Sequence, residues 1–297
     1  MTADSTAAAS EPQEGTVSRS ASAGREANPG HDGPAEGGPA SDVLLSLRGI
    51  SKHFGPVTAL DGVNLDVPSG CVTALIGDNG AGKSTLIKVI AGIHQADQGE
   101  IYWRGKRTDI RTPHDATELG VATVYQDLAL CDNLDIVANM YLGVETRRHG
   151  MLDETPMELK AKETLAGLSV TSVRSIRQPV GSLSGGQRQS VAVARAVMGD
   201  AKLVIMDEPT AALGVSQTAM VLELIKGLAA NGIAVVVISH NLIDVFSVAD
   251  RVAILYLGRL VSAGPASDYD RQSAVEIMTT GGLSERDNGG NDSGAAS

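Results

Sequence analysis

Residues 77–85 read Gly-Asp-Asn-Gly-Ala-Gly-Lys-Ser-Thr, and this stretch decides the fold. It fits the pattern G-x-x-x-x-G-K-[ST] between an apolar, strand-like segment at 72–76 and a helical segment at 83–91. The glycines let the backbone wrap a phosphate with its N–H groups, and the helix N-terminus favours the anion. The motif alone names only a phosphate-binding superfamily. The predicted phosphate-binding residues are Gly77, Asp78, Asn79, Gly80, Ala81, Gly82, Lys83, Ser84 and Thr85.

Two acids follow a second apolar segment, because residues 203–208 read Leu-Val-Ile-Met-Asp-Glu. In an open α/β sheet, ligands bind at the carboxyl ends of the strands, where these acids stand. We expect Asp207 and the Ser84 hydroxyl to hold Mg²⁺, Asp207 through water, while Lys83 supplies a positive charge to the β- and γ-phosphates. Glu208 points elsewhere and can polarise an attacking water as general base. An acidic pair that merely caps a strand is the weaker alternative.

Residues 183–187, Leu-Ser-Gly-Gly-Gln, precede a further helical segment. In isolation they would be an ordinary helix start, with Ser184 as the N-cap. Backbone N–H groups and a serine hydroxyl at a helix N-terminus also form a second anion-binding surface. The residues expected to contact nucleotide here are Ser184, Gly185, Gly186 and Gln187.

The order of these motifs resembles the ABC ATPase family, over roughly residues 43–265. The resemblance implies that the Leu-Ser-Gly-Gly-Gln segment of one subunit covers the γ-phosphate held by the phosphate loop of another. Two ATP molecules are then enclosed in each dimer. Because each motif occurs once, a second nucleotide-binding subunit is required, and a homodimer is the expected arrangement.

Three further residues take roles from the same resemblance. Gln126, after the strand-like segment 121–125, corresponds to the glutamine that touches Mg²⁺ or water and communicates with a membrane partner. His240, after segment 233–238, corresponds to the histidine that contacts the γ-phosphate. Phe54 corresponds to the aromatic residue that stacks on adenine. Without the resemblance, a strand-end glutamine, a structural histidine and a core phenylalanine would be the ordinary interpretations.

Gly214 departs from the family pattern, since most members carry an aspartate there that couples the two sites. Its absence puts tight coupling in doubt and predicts slower turnover, but Glu208 and Lys83 remain, so hydrolysis is expected. Residues 210–218 and 125–130 are similar to the ATP-binding subunits of bacterial monosaccharide importers of the ribose, xylose and fructose type. Many of those fuse two nucleotide domains, whereas this sequence has one set of motifs.

This resemblance implies partners that work together in sugar import. Membrane-spanning permease subunits would hold the chain at the cytoplasmic face of the membrane, and a sugar-binding protein outside would act indirectly. Alternatives are an importer for another small solute, a non-transport ABC ATPase acting on ribosomes or DNA, and a nucleotide-gated switch that hardly hydrolyses. The net charge of −11 argues against a nucleic-acid partner.

The fold is predicted to be α/β, of the P-loop ABC ATPase type. Strands and helices alternate after residue 187, which indicates a parallel sheet flanked by helices, and strand-like segments cluster near the start. The resemblance implies that the sheet is a RecA-like core and that the early strands form an antiparallel β subdomain. The segment 133–173 is helical in pattern, broken by Gly143, Gly150 and Pro156, and no apolar run approaches the ~20 residues of a membrane helix.

The domain boundaries follow from composition. Residues 1–42 and 284–297 are low-complexity and expected to be disordered, because they offer little apolar surface to bury. Residues 43–283 form the predicted ATPase domain, with a helical subdomain at about 133–186. Cys71 and Cys131 are interpreted as small buried residues.

Overall fold

A computed structural model describes residues 42–170 and 172–282, which contain twelve strands and eight α-helices. The predicted tails lie outside the described residues, apart from Asp42. The strands are β1 (Val43–Phe54), β2 (Val57–Pro68), β3 (Val72–Gly77), β4 (Gln98–Trp103), β5 (Lys106–Thr108), β6 (Val121–Val124), β7 (Arg147–Arg148), β8 (Met151–Leu152), β9 (Leu203–Asp207), β10 (Ala234–Ile238), β11 (Arg251–Tyr256) and β12 (Arg259–Pro265). The α-helices are α1 (Lys83–Ile90), α2 (Pro113–Glu118), α3 (Ile136–Tyr141), α4 (Glu154–Gly167), α5 (Gly185–Val197), α6 (Val215–Ala230), α7 (Leu242–Val248) and α8 (Arg271–Thr280).

The central sheet has the strand order β12-β11-β3-β10-β9-β6. All its strand pairs are parallel except β11 with β12. Every residue of β3 and β10 is buried, as expected for strands covered on both faces. Because β3, β10 and β9 are neighbours, the loops that follow them begin side by side at one edge of the sheet.

A second sheet, with the order β2-β1-β4-β5, is antiparallel throughout and comes mostly from the N-terminal part of the described chain. Its apolar face joins one core cluster with β3 and α1, through residues such as Leu45, Ile50 and Leu86. The predicted fold is confirmed: a parallel core, an antiparallel β part and a helical insertion.

The insertion contains α3 and α4, which share a separate apolar cluster that includes Ile136, Met140 and Leu165 and to which Val191 and Ala194 of α5 also belong. The boundaries 43–283 and 133–186 stay predictions. Two details of the helical pattern were wrong. Residues 147–152 form a β-hairpin, because His149 (φ 51°) and Gly150 (φ 84°) make a left-handed two-residue turn.

Pro156 does not break a helix, which corrects the second detail. It is the third residue of α4, where a backbone N–H would have no acceptor within the helix.

The two cysteines are also less buried than predicted, since both are partly exposed, in loops before β3 and α3.

The elements β5, α2 and α8 were not anticipated. The last of them, α8, is capped by Asp270 and packs against β11. Within the described ranges, the helices are all too short or too polar to cross a bilayer.

Candidate functional site

A cleft of about 770 Å³ opens at the carboxyl edge of the central sheet. It brings together the loops that follow β3, β6, β9 and β10. All nine residues of the 77–85 loop line it, together with Gln126, Asp207, Glu208 and His240. Sequence reasoning therefore selected thirteen residues that the fold gathers from four separate segments.

The phosphate loop is closely packed where its glycines stand. A Cβ atom on Gly77 would lie 2.4 Å from the Leu255 carbonyl oxygen, and one on Gly82 would lie 2.7 Å from the Ala59 oxygen. Gly82 also has a φ of 103°, in the left-handed region that side chains disfavour. No described side chain caps α1 at Gly82, so the first N–H groups of the helix stay open to a ligand.

Lys83 is turned back onto its own loop. Its Nζ donates to the carbonyl oxygens of Gly77 at 2.7 Å and Asp78 at 2.9 Å. Burial lowers the pKa of this ammonium, while Glu208 and other nearby acids act in the opposite direction. The charge is thus held at the mouth of the loop, half-buried and ready to bind a phosphate oxygen.

Asp207 ends β9 on the floor of the cleft. Burial, and then the charge of Glu208, raise the pKa of this carboxyl, and Lys83 only partly opposes them. A divalent cation would offset the cost of that buried charge. The carboxylate, the Ser84 hydroxyl and the Gln126 amide are oxygen donors of the kind Mg²⁺ prefers, so the residues present fit this ion.

Glu208 follows Asp207 with an unusual backbone and a specific partner. Its φ is 50°, and its N–H donates to the Ile238 carbonyl oxygen at 2.9 Å. Its Oε1 lies 2.8 Å from Nδ1 of His240. The Glu208 side chain is mostly buried and the His240 side chain is exposed, so the pair joins the floor of the cleft to its rim.

The Leu-Ser-Gly-Gly-Gln residues lie elsewhere, at the start of α5. Ser184 and Gln187 cap each other: the serine Oγ accepts from the Gln187 N–H, and the serine N–H donates to Gln187 Oε1. A Cβ atom on Gly185 would lie 2.7 Å from Leu213 Cδ2, so α5 packs closely on the segment before α6. The structure does not bring these four residues into the cleft of their own chain.

Phe54 is the other predicted residue outside the cleft lining. Its ring packs edge-to-face on His94, with centroids 5.2 Å apart, and the Lys52 ammonium lies 5.6 Å from the ring centre. Its register partner Val57 does line the cleft, which places Phe54 near the rim.

Sequence reasoning missed several lining residues, which are Val57, Thr58, Ala59, Ala211, Ile238 and Met278. They are apolar or small, and their residue types carry no signal of nucleotide binding. Met278 reaches the cleft from α8, a helix that the pattern did not reveal.

Gly214 is the N-cap of α6, and apart from its own residue and its two chain neighbours no described atom lies within 4 Å of the position its Cβ would take. No described side chain caps this helix. The position is therefore open to a larger residue.

A strand, a glycine loop and a helix that gather acids and a histidine at the carboxyl edge of a parallel sheet define a phosphate-loop nucleotide-binding protein. The family model described as "ABC transporter" matches residues 60–211. The chain belongs to this family of ATPases, as the sequence predicted.

Individual relatives are similar to this chain over more residues than the family model matches. The chain is 47% identical over 247 residues to the fructose import ATP-binding protein FrcA of Rhizobium meliloti, covering 81% of this chain and 95% of the relative. It is 44% identical over 237 residues to the xylose/arabinose import ATP-binding protein XylG of Sulfolobus acidocaldarius, covering 80% and 94%. A ribose import ATP-binding protein, RbsA of Chromobacterium violaceum, is 38% identical, and the match covers 48% of its length.

Solved structures agree with the fold. The ADP conformation of an ATP-binding cassette of an ABC transporter has a TM-score of 0.69 and 28% identity, covering 80% of this chain and 95% of that one. A dimeric post-hydrolysis state of another cassette, bound to ADP and Pi, has a TM-score of 0.63 and 26% identity, covering 75% and 99%.

Proposed function

We propose that this chain binds ATP and Mg²⁺ and hydrolyses the nucleotide to energise an ABC importer for a simple sugar. The observation that carries the proposal is the 2.8 Å contact between Glu208 and His240 inside the cleft that the phosphate loop lines. The substrate class is supported by FrcA and XylG, which are named as fructose and xylose/arabinose import proteins and match over 95% and 94% of their lengths.

The proposed roles follow from position in the cleft. The backbone of residues 77–85 and the Lys83 ammonium bind the phosphates. Ser84, Gln126 and Asp207 hold Mg²⁺, which would neutralise phosphate charge. Glu208 accepts a proton from the attacking water, and His240 orients this carboxylate and contacts the γ-phosphate.

The remaining role is adenine binding, which we assign to Phe54. We retain Phe54 as the stacking residue because its register partner Val57 lines the cleft. For this role the ring would have to offer a face to the base, while His94 packs on it edge-to-face.

A second copy of the chain completes each site in this proposal. Ser184, Gly185, Gly186 and Gln187 lie outside their own cleft, at a helix N-terminus suited to an anion. A solved cassette of similar fold is dimeric and bound to ADP and Pi, which supports a dimer here. We therefore expect a homodimer that encloses two ATP molecules.

The remaining partners are expected from the importer role. Permease subunits would hold the dimer at the cytoplasmic face of the membrane, and a sugar-binding protein would act through them. A non-transport ATPase on ribosomes or DNA is less favoured by the named relatives and by the net charge of −11. Import of another small solute stays open as the alternative substrate.

The substitution Glu208→Gln tests the chemistry. It keeps the shape of the side chain and removes the base, so phosphate release should fall by about 10²- to 10⁴-fold while an ATP-bound dimer accumulates. Unchanged phosphate release would contradict the base assignment. Purification from membranes tests the transport role: a multi-span membrane protein should accompany the chain, and association with ribosomes or nucleoid instead would contradict it.

A further inference from the structure

A second side-chain hydrogen bond joins the same two segments of the chain as the Glu208–His240 contact. Thr210 Oγ1 donates to Asp244 Oδ2 at 2.7 Å. Thr210 is two residues beyond Glu208, and Asp244 is on α7, four residues beyond His240. Both residues are 9% exposed.

Asp244 depends strongly on this contact. In the described chain, Thr210 alone donates a hydrogen bond to its carboxylate, and no Lys, Arg or His lies within ion-pair distance. A buried carboxylate that loses its hydrogen-bond donor is left unsatisfied, so breaking the bond costs free energy. The two segments are therefore held together at a second point, outside the lining of the cleft.

Glu208 needs such support because of its backbone. A φ of 50° is uncommon for a residue with a side chain, and strained positions persist only where the surroundings determine them. On one side the Glu208 N–H is fixed to the Ile238 oxygen. On the other side the chain is fixed through Thr210 to Asp244.

We propose that Thr210 and Asp244 are positioning residues for hydrolysis. Their hydrogen bond holds the Glu208 carboxylate and the His240 ring in register, by tying together the two segments that carry them. Neither residue lines the cleft, so they act through Glu208 and not by touching ATP. The inference rests on the proposed function, because it assumes that Glu208 is the base.

The test compares variants that break the hydrogen bond with matched variants that keep it. Thr210→Val removes the hydroxyl with little change in volume, and Thr210→Ser keeps it. Asp244→Ala removes the acceptor, and Asp244→Asn keeps an acceptor oxygen. Breaking the bond misplaces the base, so kcat should fall by about 10- to 100-fold with ATP affinity within about twofold of the parent. Thr210→Ser and Asp244→Asn should stay within about threefold in kcat.

A double variant separates positioning from a general structural effect. If Thr210 acts through Glu208, adding Thr210→Val to Glu208→Gln should cause no further loss in single-turnover hydrolysis. An additional loss of the same size as in the single variant would show that Thr210 acts independently of the base. Thermal unfolding of every variant identifies any that do not fold, and Asp244→Ala then takes the place of Thr210→Val.

The outcomes also distinguish this inference from the proposed function. If Glu208→Gln leaves hydrolysis unchanged, the proposed function fails and the positioning role fails with it. If Glu208→Gln abolishes hydrolysis but folded Thr210→Val and Asp244→Ala keep full kcat, the positioning role alone is wrong. Equal losses in all four bond variants, including Thr210→Ser and Asp244→Asn, would also contradict it.

Discussion

The cleft and the start of α5 both present a helix N-terminus, but they are built in opposite ways. At α1 no described side chain caps the helix, so its first N–H groups stay open beside Lys83. At α5, Ser184 and Gln187 cap each other. The first arrangement can hold a phosphate within its own chain, whereas the second lies outside that cleft and, in the proposed dimer, meets an anion held by another chain. In that proposal, one chain carries two halves of a site that do not meet.

Ser184→Asp should give the largest effect that separates the two regions. Aspartate caps a helix as well as serine does, so the stability of α5 should be retained. Its negative charge would repel a γ-phosphate, and kcat should fall by about 10²- to 10³-fold, the loss typical of an anion-stabilising contact. ATP binding to the isolated chain should be unchanged. A variant that lost ATP binding by the monomer would place Ser184 in its own cleft.

Lys83→Ala should instead weaken ATP binding by the isolated chain, which Ser184→Asp leaves unchanged. It removes a charged donor from the phosphates, and ATP affinity of the isolated chain should fall by about 10- to 100-fold. Nucleotide binding followed by calorimetry measures the change, with Lys83→Arg as the charge-retaining control. Undiminished affinity would show that the loop backbone alone holds the nucleotide.

The affinity for Mg²⁺ should depend on pH through protonation of the Asp207 carboxyl. Burial and Glu208 raise the pKa of this carboxyl above the ordinary 3.8, so it takes up a proton at a higher pH than other aspartates do. Protons compete with the metal, and Mg²⁺-dependent affinity should therefore fall as pH decreases, by about tenfold per unit below the raised pKa. Asp207→Asn should remove this dependence. A profile that the substitution does not change would exclude Asp207 as the group responsible.

Gly214→Asp should give the smallest effect. The site has space for the side chain, and an aspartate there would cap α6, which has no acidic residue in its first turn. The free energy of unfolding should rise by about 0.5 kcal/mol, measured in urea, with Gly214→Ala as the control that adds no cap. A decrease would show that the open position is blocked in the assembled protein.

Much of the cleft could be predicted because its residues follow parallel strands directly. Residues 77–85, Asp207 and His240 each stand at the end of a strand or just beyond it, and the strand order places those ends together. The features that could not be predicted depend on tertiary packing. The hairpin at 147–152 has no helix-breaking residue except Gly150, and Met278 arrives from a helix with no motif. The Thr210–Asp244 bond joins residues 34 positions apart, which local patterns do not connect.

The most direct test of a shared site mixes two inactive chains. Lys83→Ala weakens ATP binding in the cleft, and Ser184→Asp disables the start of α5. Each homodimer should therefore be nearly inactive at an ATP concentration well below the dissociation constant of the Lys83→Ala chain. In a mixed dimer, the intact cleft of one chain meets the intact α5 of the other. Phosphate release from an equimolar mixture should then recover to about a quarter of wild-type, since half the dimers are mixed and each has one working site. A mixture no more active than its separate parents would contradict the account.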